Sequence, residues 1–493
     1  MALSRTNWKL IAVAALASVL GACGGDDDSS SEPATQTAIG TITGFGSVIV
    51  NGVRFDDSNA SVSMDDAARS RDQLRVGMVV RVRGRINGDG TGVADSIQYN
   101  DCVQGQITAM NQERNTLTVL GQDVQLDEET VFDGVALRGM TGFSFGDQVE
   151  VSCLPDAANK QMRATRLELK ERFQNGISEL EVKGVVSNLD NIAATFTING
   201  LSVNFAGVAV GNRPAGLKNG MTVEAGGKNF ANGVLAADQL RDRDRDRISY
   251  PDGDGLEVEG YVSEFVSILS NFKVSGQTVN AAYAAIRNGT AADLRDGVKV
   301  EVEGTVTNDE LIADVVVIRQ QANARVEAGL QIADQLLGTV TLLGRSIKVT
   351  ADTELRDGVA QPDQPTVITL SDLNPADRLE VKAFKDAAGA LVATRVERTA
   401  ADPLVVVKGT ADSKVPTVGL TLLGIDVATG GNTRYRDASG NLVTASAFYD
   451  AVSVPPAVPT IVHTRGVVAD LASNVVDATR TLSATGELEI GGQ

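Results

Sequence analysis

Runs in which apolar and polar residues alternate recur along the chain from about residue 39 onward. The clearest run extends from Gly297 to Gly304 and reads GVKVEVEG, and related runs begin at Gly77, Gly146 and Gly220. A period of two is typical of β-strands that have one buried and one solvent-exposed face. The pattern predicts an all-β protein in which the charged face of each such strand is in contact with water.

Each alternating run belongs to a longer pattern that occurs about six times. A copy opens with an apolar strand that contains glycine, continues with a hairpin that has glycine at its tip, and closes with a strand that starts from a small and a polar residue. Glycine permits the positive φ that tight hairpin turns require. The chain is therefore predicted to be a series of similar small modules. The hairpin glycines are Gly52, Gly121, Gly200, Gly276, Gly344 and Gly424.

Each copy supplies about five short strands, the number with which small Greek-key barrels of the OB type close. We therefore expect about six tandem five-stranded OB-like barrels, with a short helix between the third and fourth strands. The Ala-rich segment 281–294 is the best candidate for such a helix, and 65–74 is a second. The expected modules span 39–101, 102–172, 179–241, 256–320, 326–400 and a divergent copy at 403–493; residues 242–255 form a charged linker, and an insertion occupies 449–459.

Two segments of the first copy resemble the repeat of the domain-of-unknown-function 5666 family. They are Thr43 to Val53, which reads TGFGSVIVNGV, and Leu74 to Val80, which reads LRVGMVV. The resemblance is close in the first two copies and looser in the third to fifth, and the sixth departs from it. That family is known mostly from exported bacterial lipoproteins. The resemblance implies an architecture but no activity.

The first residues have the pattern of a signal peptide. Arg5 and Lys9 precede an apolar run, 11–20, that is too short to span a bilayer comfortably. The following sequence, LGAC, resembles the lipobox of lipoprotein signal peptides, which ends in the Cys that receives lipid. We therefore expect residues 1–22 to be removed and Cys23 to be lipidated. The alternative is an ordinary secretory signal that is cut before Cys23 and leaves a free thiol there.

Lipidation would attach the protein to a membrane without a transmembrane helix, because two or more acyl chains hold a protein stably. In lipoprotein sorting, an Asp directly after the lipidated Cys resembles an inner-membrane retention signal. This chain has Gly24 at that position, which favours the outer membrane. Residues 23–38 are polar and short of apolar side chains. They are expected to form a flexible tether that holds the modules away from the membrane.

Cys102 and Cys153 are the other two cysteines of the chain. In an exported protein an even pair is expected to form a disulfide. A bridge that closes a loop of about 50 residues stabilises by roughly 4 kcal/mol in the chain-entropy model. Two free thiols remain the alternative.

The composition disfavours several classes of function. The net charge is −19, and loss of Arg5 and Lys9 with the signal leaves −21, which repels nucleic acid. The single histidine, His463, matches an outward position of an alternating strand, and no HExxH sequence is present. We expect a protein without a cofactor that is not an enzyme.

The charged linker contains a partial calcium-binding pattern. Asp242, Asp244 and Asp246 have the first three spacings of an EF-hand loop, and Asp252 and Asp254 could add oxygen ligands. The intervening arginines oppose a divalent cation, and Arg247 stands where the loop requires glycine. A self-neutralised linker is therefore favoured over weak calcium binding.

These features favour a non-enzymatic lipoprotein of the outer membrane or cell envelope. Its tandem modules would act as a binding or structural scaffold for an envelope protein or a polysaccharide, because several weak sites gain avidity on one extended partner. The alternatives are a periplasmic ligand-binding protein or enzyme with an inter-module carboxylate site, and a calcium-stabilised stalk.

Overall fold

A computed structural model describes residues 35–135, 139–243, 250–470, 475–477 and 487–491 of the chain. Within these residues the secondary structure is mostly β, and six modules follow one another in sequence. The expected signal peptide, Cys23 and most of the tether lie outside the described residues, as do Asp244 and Asp246.

The first three modules share one order of elements. A long first strand precedes a hairpin of two short strands, and a 3₁₀ turn then precedes two long strands. Module 1 contains β1 (Gln36–Gly44), β2 (Val48–Val50), β3 (Val53–Asp56), β4 (Ser61–Met64), β5 (Ala67–Arg69), β6 (Val79–Ile86) and β7 (Gly92–Tyr99). Module 2 contains β8 (Val103–Asn111), β9 (Thr116–Val119), β10 (Gln122–Gln125), β11 (Val131–Asp133), β12 (Asp147–Asp156) and β13 (Gln161–Arg172). Module 3 contains β14 (Leu180–Asp190), β15 (Thr195–Ile198), β16 (Leu201–Asn204), β17 (Thr222–Ala231) and β18 (Val234–Asp242).

The last three modules keep this order, and the sixth adds an α-helix. Module 4 contains β19 (Gly255–Ser263), β20 (Phe272–Val274), β21 (Gln277–Asn280), β22 (Ala285–Arg287), β23 (Lys299–Thr307) and β24 (Glu310–Ile318). Module 5 contains β25 (Ala324–Asp334), β26 (Thr339–Leu342), β27 (Arg345–Lys348), β28 (Glu354–Asp357), β29 (Thr366–Val367), β30 (Arg378–Lys385) and β31 (Leu391–Thr399). Module 6 contains β32 (Val405–Val415), β33 (Gly419–Leu422), β34 (Ile425–Ala428), β35 (Arg434–Arg436), β36 (Leu442–Val443), α1 (Ala445–Ala451), β37 (Ile461–Asp470), β38 (Val475–Asp477) and β39 (Glu487–Ile490).

Five strands of each module close into a ring. In module 1, β1 pairs with β2, β2 with β3, β3 with β7, β7 with β6, and β6 with β1. The β3–β7 pair is parallel and the others are antiparallel, and the corresponding strands of the other five modules pair in the same order. This is the connectivity of a five-stranded OB-type barrel. The predicted fold class of tandem small barrels is confirmed.

Alternate side chains of the long strands fill the barrels. In β6, Val80 and Val82 are buried inside module 1 whereas Arg83 is exposed. Full burial of a valine-sized side chain contributes about 1.5–3 kcal/mol. Modules 2 and 3 share one continuous apolar cluster, and modules 5 and 6 share another. The period of two in the sequence therefore identifies the interior positions correctly.

The short helices expected in 281–294 and 65–74 are each reduced to a single 3₁₀ turn. The first segment contains β22 and a 3₁₀ turn at Ala291–Asp293, and the second contains β5 and a 3₁₀ turn at Arg71–Gln73. In module 4 the closing strand β24 offers a free edge, and β22 pairs with it in parallel. Backbone hydrogen bonds to that edge replace those of a helix.

Modules 1 and 4 form one compact unit, and modules 2, 3, 5 and 6 form a second. In the first unit, β1 and β19 are parallel neighbours from the Gln36–Gly255 pair to the Ile39–Val258 pair. The hairpin strands are much shorter than the first strand, so β2 covers only the C-terminal part of β1. The remaining edge carries backbone groups that require partners, and β19 supplies them.

In the second unit, first strands also join modules, but in antiparallel pairs. β8 pairs with β14, which joins modules 2 and 3, and β25 pairs with β32, which joins modules 5 and 6. The barrels of each unit are thus joined edge to edge through the same strand of the repeat.

Candidate functional site

The outer faces of the alternating strands carry buried charges where modules meet. Glu224 of β17, and Glu380 and Lys382 of β30, are at most 6% exposed. The sequence predicted a wet face for the run that contains Glu224, and at that position the prediction is wrong. The reason is that a neighbouring module covers the face, so each charge requires a charged partner in place of water.

The junction of modules 5 and 6 contains the largest of these groups, which we call the Glu128 socket. It consists of Arg325 on β25, Lys382 on β30 and Lys408 on β32, and Arg325 lies directly opposite Lys408 in the paired strands. The occupant is Glu128, from the loop of module 2 that follows β10. The sequence separation between Lys408 and Glu128 is 280 residues.

Glu128 is held by both its side chain and its main chain. Lys408 Nζ donates to Glu128 Oε1, Lys382 Nζ donates to the Glu128 main-chain oxygen, and Arg325 Nη1 lies 3.8 Å from Oε2. Burial, the largest influence, raises the pKa of this carboxyl, but Arg325, Lys408 and Lys382 together lower it to about 2. Glu128 is therefore an anion at neutral pH, as the surrounding cations require.

The next residue of the same loop is also bound. Thr394 Oγ1 donates to Glu129 Oε1 at 2.7 Å, and Arg395 Nη2 lies 3.2 Å from Glu129 Oε2. Arg395 also donates to Glu354 Oε2 at 2.9 Å. Two consecutive glutamates of module 2 thus contact cations of modules 5 and 6.

His463 lies beside the socket. It is on β37, directly opposite Lys408, and its Nε2 is buried without a hydrogen-bond partner among the described residues. Burial, Arg325 and Lys408 together lower its pKa to about 3, against the opposing effect of Glu128. The sequence correctly predicts the outer face of a strand, but that face is covered, and the imidazole is uncharged at neutral pH.

The junction of modules 2 and 3 has a smaller charge group, around Glu224. Arg243 Nε donates to Glu224 Oε2 at 2.8 Å, and Lys183 Nζ lies 3.5 Å from the same oxygen. Lys183 also donates to Asp101 Oδ1 at 3.2 Å. Burial raises the pKa of Glu224, but Lys183, Arg243 and Arg241 outweigh it and lower the pKa below its usual value.

The junction of modules 1 and 4 contains the buried carboxylate of Glu259, on β19. It accepts hydrogen bonds from Thr41 N at 2.8 Å and Thr41 Oγ1 at 2.7 Å, both in β1. Lys299 Nζ lies 2.7 Å from its other oxygen. Burial raises the pKa of Glu259, but Lys299 and the Thr41 hydrogen bonds lower it to about 2.

The predicted disulfide between Cys102 and Cys153 is confirmed, with a Cα–Cα distance of 5.9 Å. Cys102 immediately precedes β8, and its N–H donates to Val151 O at 2.8 Å. Cys153 lies at a β-bulge between β12 and β13. The bridge therefore fixes the start of the first strand of module 2 to the strand beside it.

The described part of the charged linker does not test the calcium hypothesis. Asp242 ends β18 in the second unit, whereas Asp252 and Asp254 precede β19 in the first. Asp252 Oδ1 accepts a hydrogen bond from Asn308 N at 2.7 Å. Calcium binding stays a prediction, as does lipidation of Cys23. None of the helices in the described residues is long and apolar enough to cross a membrane.

Sequence analysis missed the socket residues Arg325, Lys382 and Lys408 and their occupant. A signal was present in the first strands, where Lys183, Glu259 and Lys408 each directly precede the strand glycine. A charge in the middle of an otherwise apolar strand indicates a buried partner rather than a wet face. That signal identifies the junctions but not which loop fills them.

The fold and the junctions define a class: a repeat protein of OB-type barrels that are joined through edge strands and buried ion pairs. The model of the family "Domain of unknown function (DUF5666)" matches residues 37–98, 104–168, 183–241, 253–316 and 325–397. Because these matches cover more than half of the chain, the chain belongs to this family. Module 6 lies beyond the matched residues. No curated protein matches the chain.

Proposed function

We propose that this protein is a non-enzymatic lipoprotein of the bacterial outer membrane, whose barrels form a scaffold for an envelope protein or a polysaccharide. The observation that carries the proposal is the pairing of first strands, which joins barrels edge to edge in both units. Backbone hydrogen bonds and buried ion pairs fix the geometry of each pair. A scaffold must hold its modules in a fixed geometry, which modules joined only by flexible linkers would not have.

The state of the junction carboxylates supports a scaffold over an enzyme with an inter-module carboxylate site. Glu128, Glu224 and Glu259 are each paired with cations, and their pKa values are lowered. A general acid needs a pKa near the working pH and a free path to its substrate. These three carboxylates instead hold modules together.

A repeated apolar feature supports a protein partner. The loop between the first and second strands carries exposed aliphatic side chains in four modules, and Ile192 is fully exposed. In modules 3 and 5 the turn is held in the same way, since Asp190 and Asp334 each accept hydrogen bonds from two backbone N–H groups at the tip. Exposed apolar groups at recurring positions favour binding. They are Ile192, Val266, Leu269, Leu336, Leu337, Val415 and Val418.

Lipid attachment is tested by metabolic labelling with a palmitate analogue. The wild-type chain should carry label and sediment with outer membranes, and Cys23→Ala should lose both properties. Label that persists in Cys23→Ala, or its absence from the wild type, contradicts the anchor.

Partner binding is tested by cross-linking in intact envelopes with Ile192→Ser combined with Leu336→Ser. The control is Val458→Ser, which removes a side chain that is 89% exposed outside these loops. A cross-linked product that is lost in the double variant and kept in the control supports the scaffold. A product that both variants lose or both keep contradicts a role for the loop tips.

A further inference from the structure

Modules 2 and 5 build the loop after their hairpin with the same hydrogen bonds. In module 2, Thr130 Oγ1 accepts from Asp127 N at 3.0 Å and donates to Ala164 O at 2.9 Å. In module 5, Thr353 Oγ1 accepts from Thr350 N at 2.9 Å and donates to Ala393 O at 2.7 Å. Modules 2 and 5 therefore share this turn, whereas the two residues at its tip differ between them.

The tips differ in charge and in surroundings. Module 2 places Glu128 and Glu129 there, whereas module 5 places Ala351 and Asp352. The side chain of Asp352 is 47% exposed and lies 3.7 Å from Arg319. The side chain of Glu128 is 6% exposed and fills the socket. Only the tip of module 2 has the chemistry that a buried cationic site requires.

Modules 5 and 6 supply all three cations of the socket, and loop 126–130 supplies none. These cations project from three neighbouring strands, and their side chains are 9% exposed or less. Acids of the same modules also lie near these cations: Glu327 lies 3.6 Å from Arg325, and Glu380 lies 3.6 Å from Lys382. Glu128 is nevertheless the acid that contacts both Arg325 and Lys408.

We propose that the Glu128 socket is a carboxylate-binding site for an acidic peptide segment, and that loop 126–130 is its resident ligand. The ligand presents one glutamate carboxylate to Arg325 and Lys408 and its main-chain oxygen to Lys382. A following glutamate contacts Thr394 and Arg395. The same chemistry admits the sequence LDEET from a second copy of the chain once the resident loop is withdrawn.

The first test is chemical rescue of Glu128→Ala by propionate, which has the charge of the deleted carboxylate and the carbon chain of a whole glutamate side chain. Binding to the folded state should raise the melting temperature by roughly 2–4 °C at about 100 mM propionate relative to equal chloride. Asp352→Ala is the matched control in the equivalent loop and should show no difference between the two anions. Equal responses of Glu128→Ala to propionate and chloride would overturn the proposal.

The second test adds the peptide LDEET to full-length Glu128→Ala with Glu129→Ala and follows fluorescence anisotropy of a labelled peptide. We expect saturable binding, and at least a tenfold loss when the first glutamate of the peptide is replaced by glutamine, because a charge-assisted contact is removed. Equal affinity for the two peptides, or no binding of LDEET to the folded variant, contradicts the proposed carboxylate-binding site.

A third measurement does not depend on the folding of an alanine variant. Lys408→Met keeps most of the length of the side chain but removes one cation, and hydrogen exchange of residues 126–130 should accelerate by at least tenfold. Residues 349–353 of module 5 serve as the internal control and should exchange as in the wild type. Unchanged exchange in 126–130 would show that the loop does not depend on the socket.

Discussion

The junction of modules 1 and 4 and the junction of modules 5 and 6 use the same strand of the repeat in different ways. The first is parallel and the second antiparallel. In the first, Glu259 is paired within the two modules, through Lys299 and Thr41. In the second, three cations are satisfied by Glu128 from a third module. The pairing of Glu259 stays within its two modules, whereas that of the socket depends on a distant loop.

The comparison teaches that pairing of edge strands does not decide the electrostatics of a junction. Both pairings satisfy backbone groups along an exposed edge. The outer-face side chains then decide whether a junction carries an excess of either charge. In a low-dielectric environment an excess charge requires a partner, wherever in the chain that partner lies.

The largest effect is expected for Glu128→Ala, which should lower the free energy of unfolding of the second unit by about 3–5 kcal/mol. The variant leaves Lys408 and Arg325 without the carboxylate that they share. Urea unfolding, followed by hydrogen exchange of peptides from modules 5 and 6, measures the change. A loss below about 1 kcal/mol would mean that water replaces the carboxylate without penalty.

Glu259→Ala is expected to cost less, about 2 kcal/mol, in the first unit. It removes the partner of one cation, Lys299, whose side chain is 18% exposed and so keeps some contact with water. The control is Glu264→Ala in the same module, which breaks an exposed pair with Lys273. If Glu259→Ala destabilises as much as Glu128→Ala does, the contrast between the junctions fails.

Much of this architecture follows from local sequence. The period of two identifies barrel positions such as Val80 and Val82, and glycines such as Gly52 mark the hairpins, because both are short-range constraints. The disulfide is predicted because the chain has only two cysteines besides Cys23, and an even pair in an exported protein is expected to be oxidised. These features depend on neighbours within one module, so the sequence predicts them.

The junctions could not be predicted in the same way. The first strands β1, β8 and β25 have similar patterns, and nothing local specifies that β1 pairs with β19 across more than two hundred residues. Lys408 and Glu128 likewise belong to unrelated local patterns. The segment 281–294 failed for a related reason, since its alanine content favours a helix but the free edge of β24 competes for its backbone.

Acid should separate the two junctions, because one of them contains His463. Its pKa is about 3 in the folded chain against an ordinary value of 6.5. The stability that this group contributes is therefore present above pH 6.5 and is lost as the pH falls toward 3. At pH 5 the second unit should have lost about 1–2 kcal/mol.

Glu259 of the first unit should contribute no loss over the same interval, because the ordinary pKa of its carboxyl is 4.5 and its contribution is lost only below that value. Urea unfolding at pH 7 and pH 5 measures both units through their own peptides. His463→Gln should remove the loss in the second unit between these pH values. A loss that persists in this variant would assign the effect to another group.

The smallest effect is expected for Asp352→Asn, below about 0.5 kcal/mol. Asp352 occupies the tip of the loop in module 5 that matches the Glu128 loop of module 2, but its pair with Arg319 is exposed to water, which screens it. Salt should weaken this contribution further. Differential scanning calorimetry of Asp352→Asn beside Glu128→Gln measures the two loops under one condition. If both variants melt like the wild type, the loop geometry and not the charge at its tip holds the junction of modules 5 and 6. If Asp352→Asn lowers the melting temperature more than Glu128→Gln does, burial of the carboxylate does not explain the difference between the two loops.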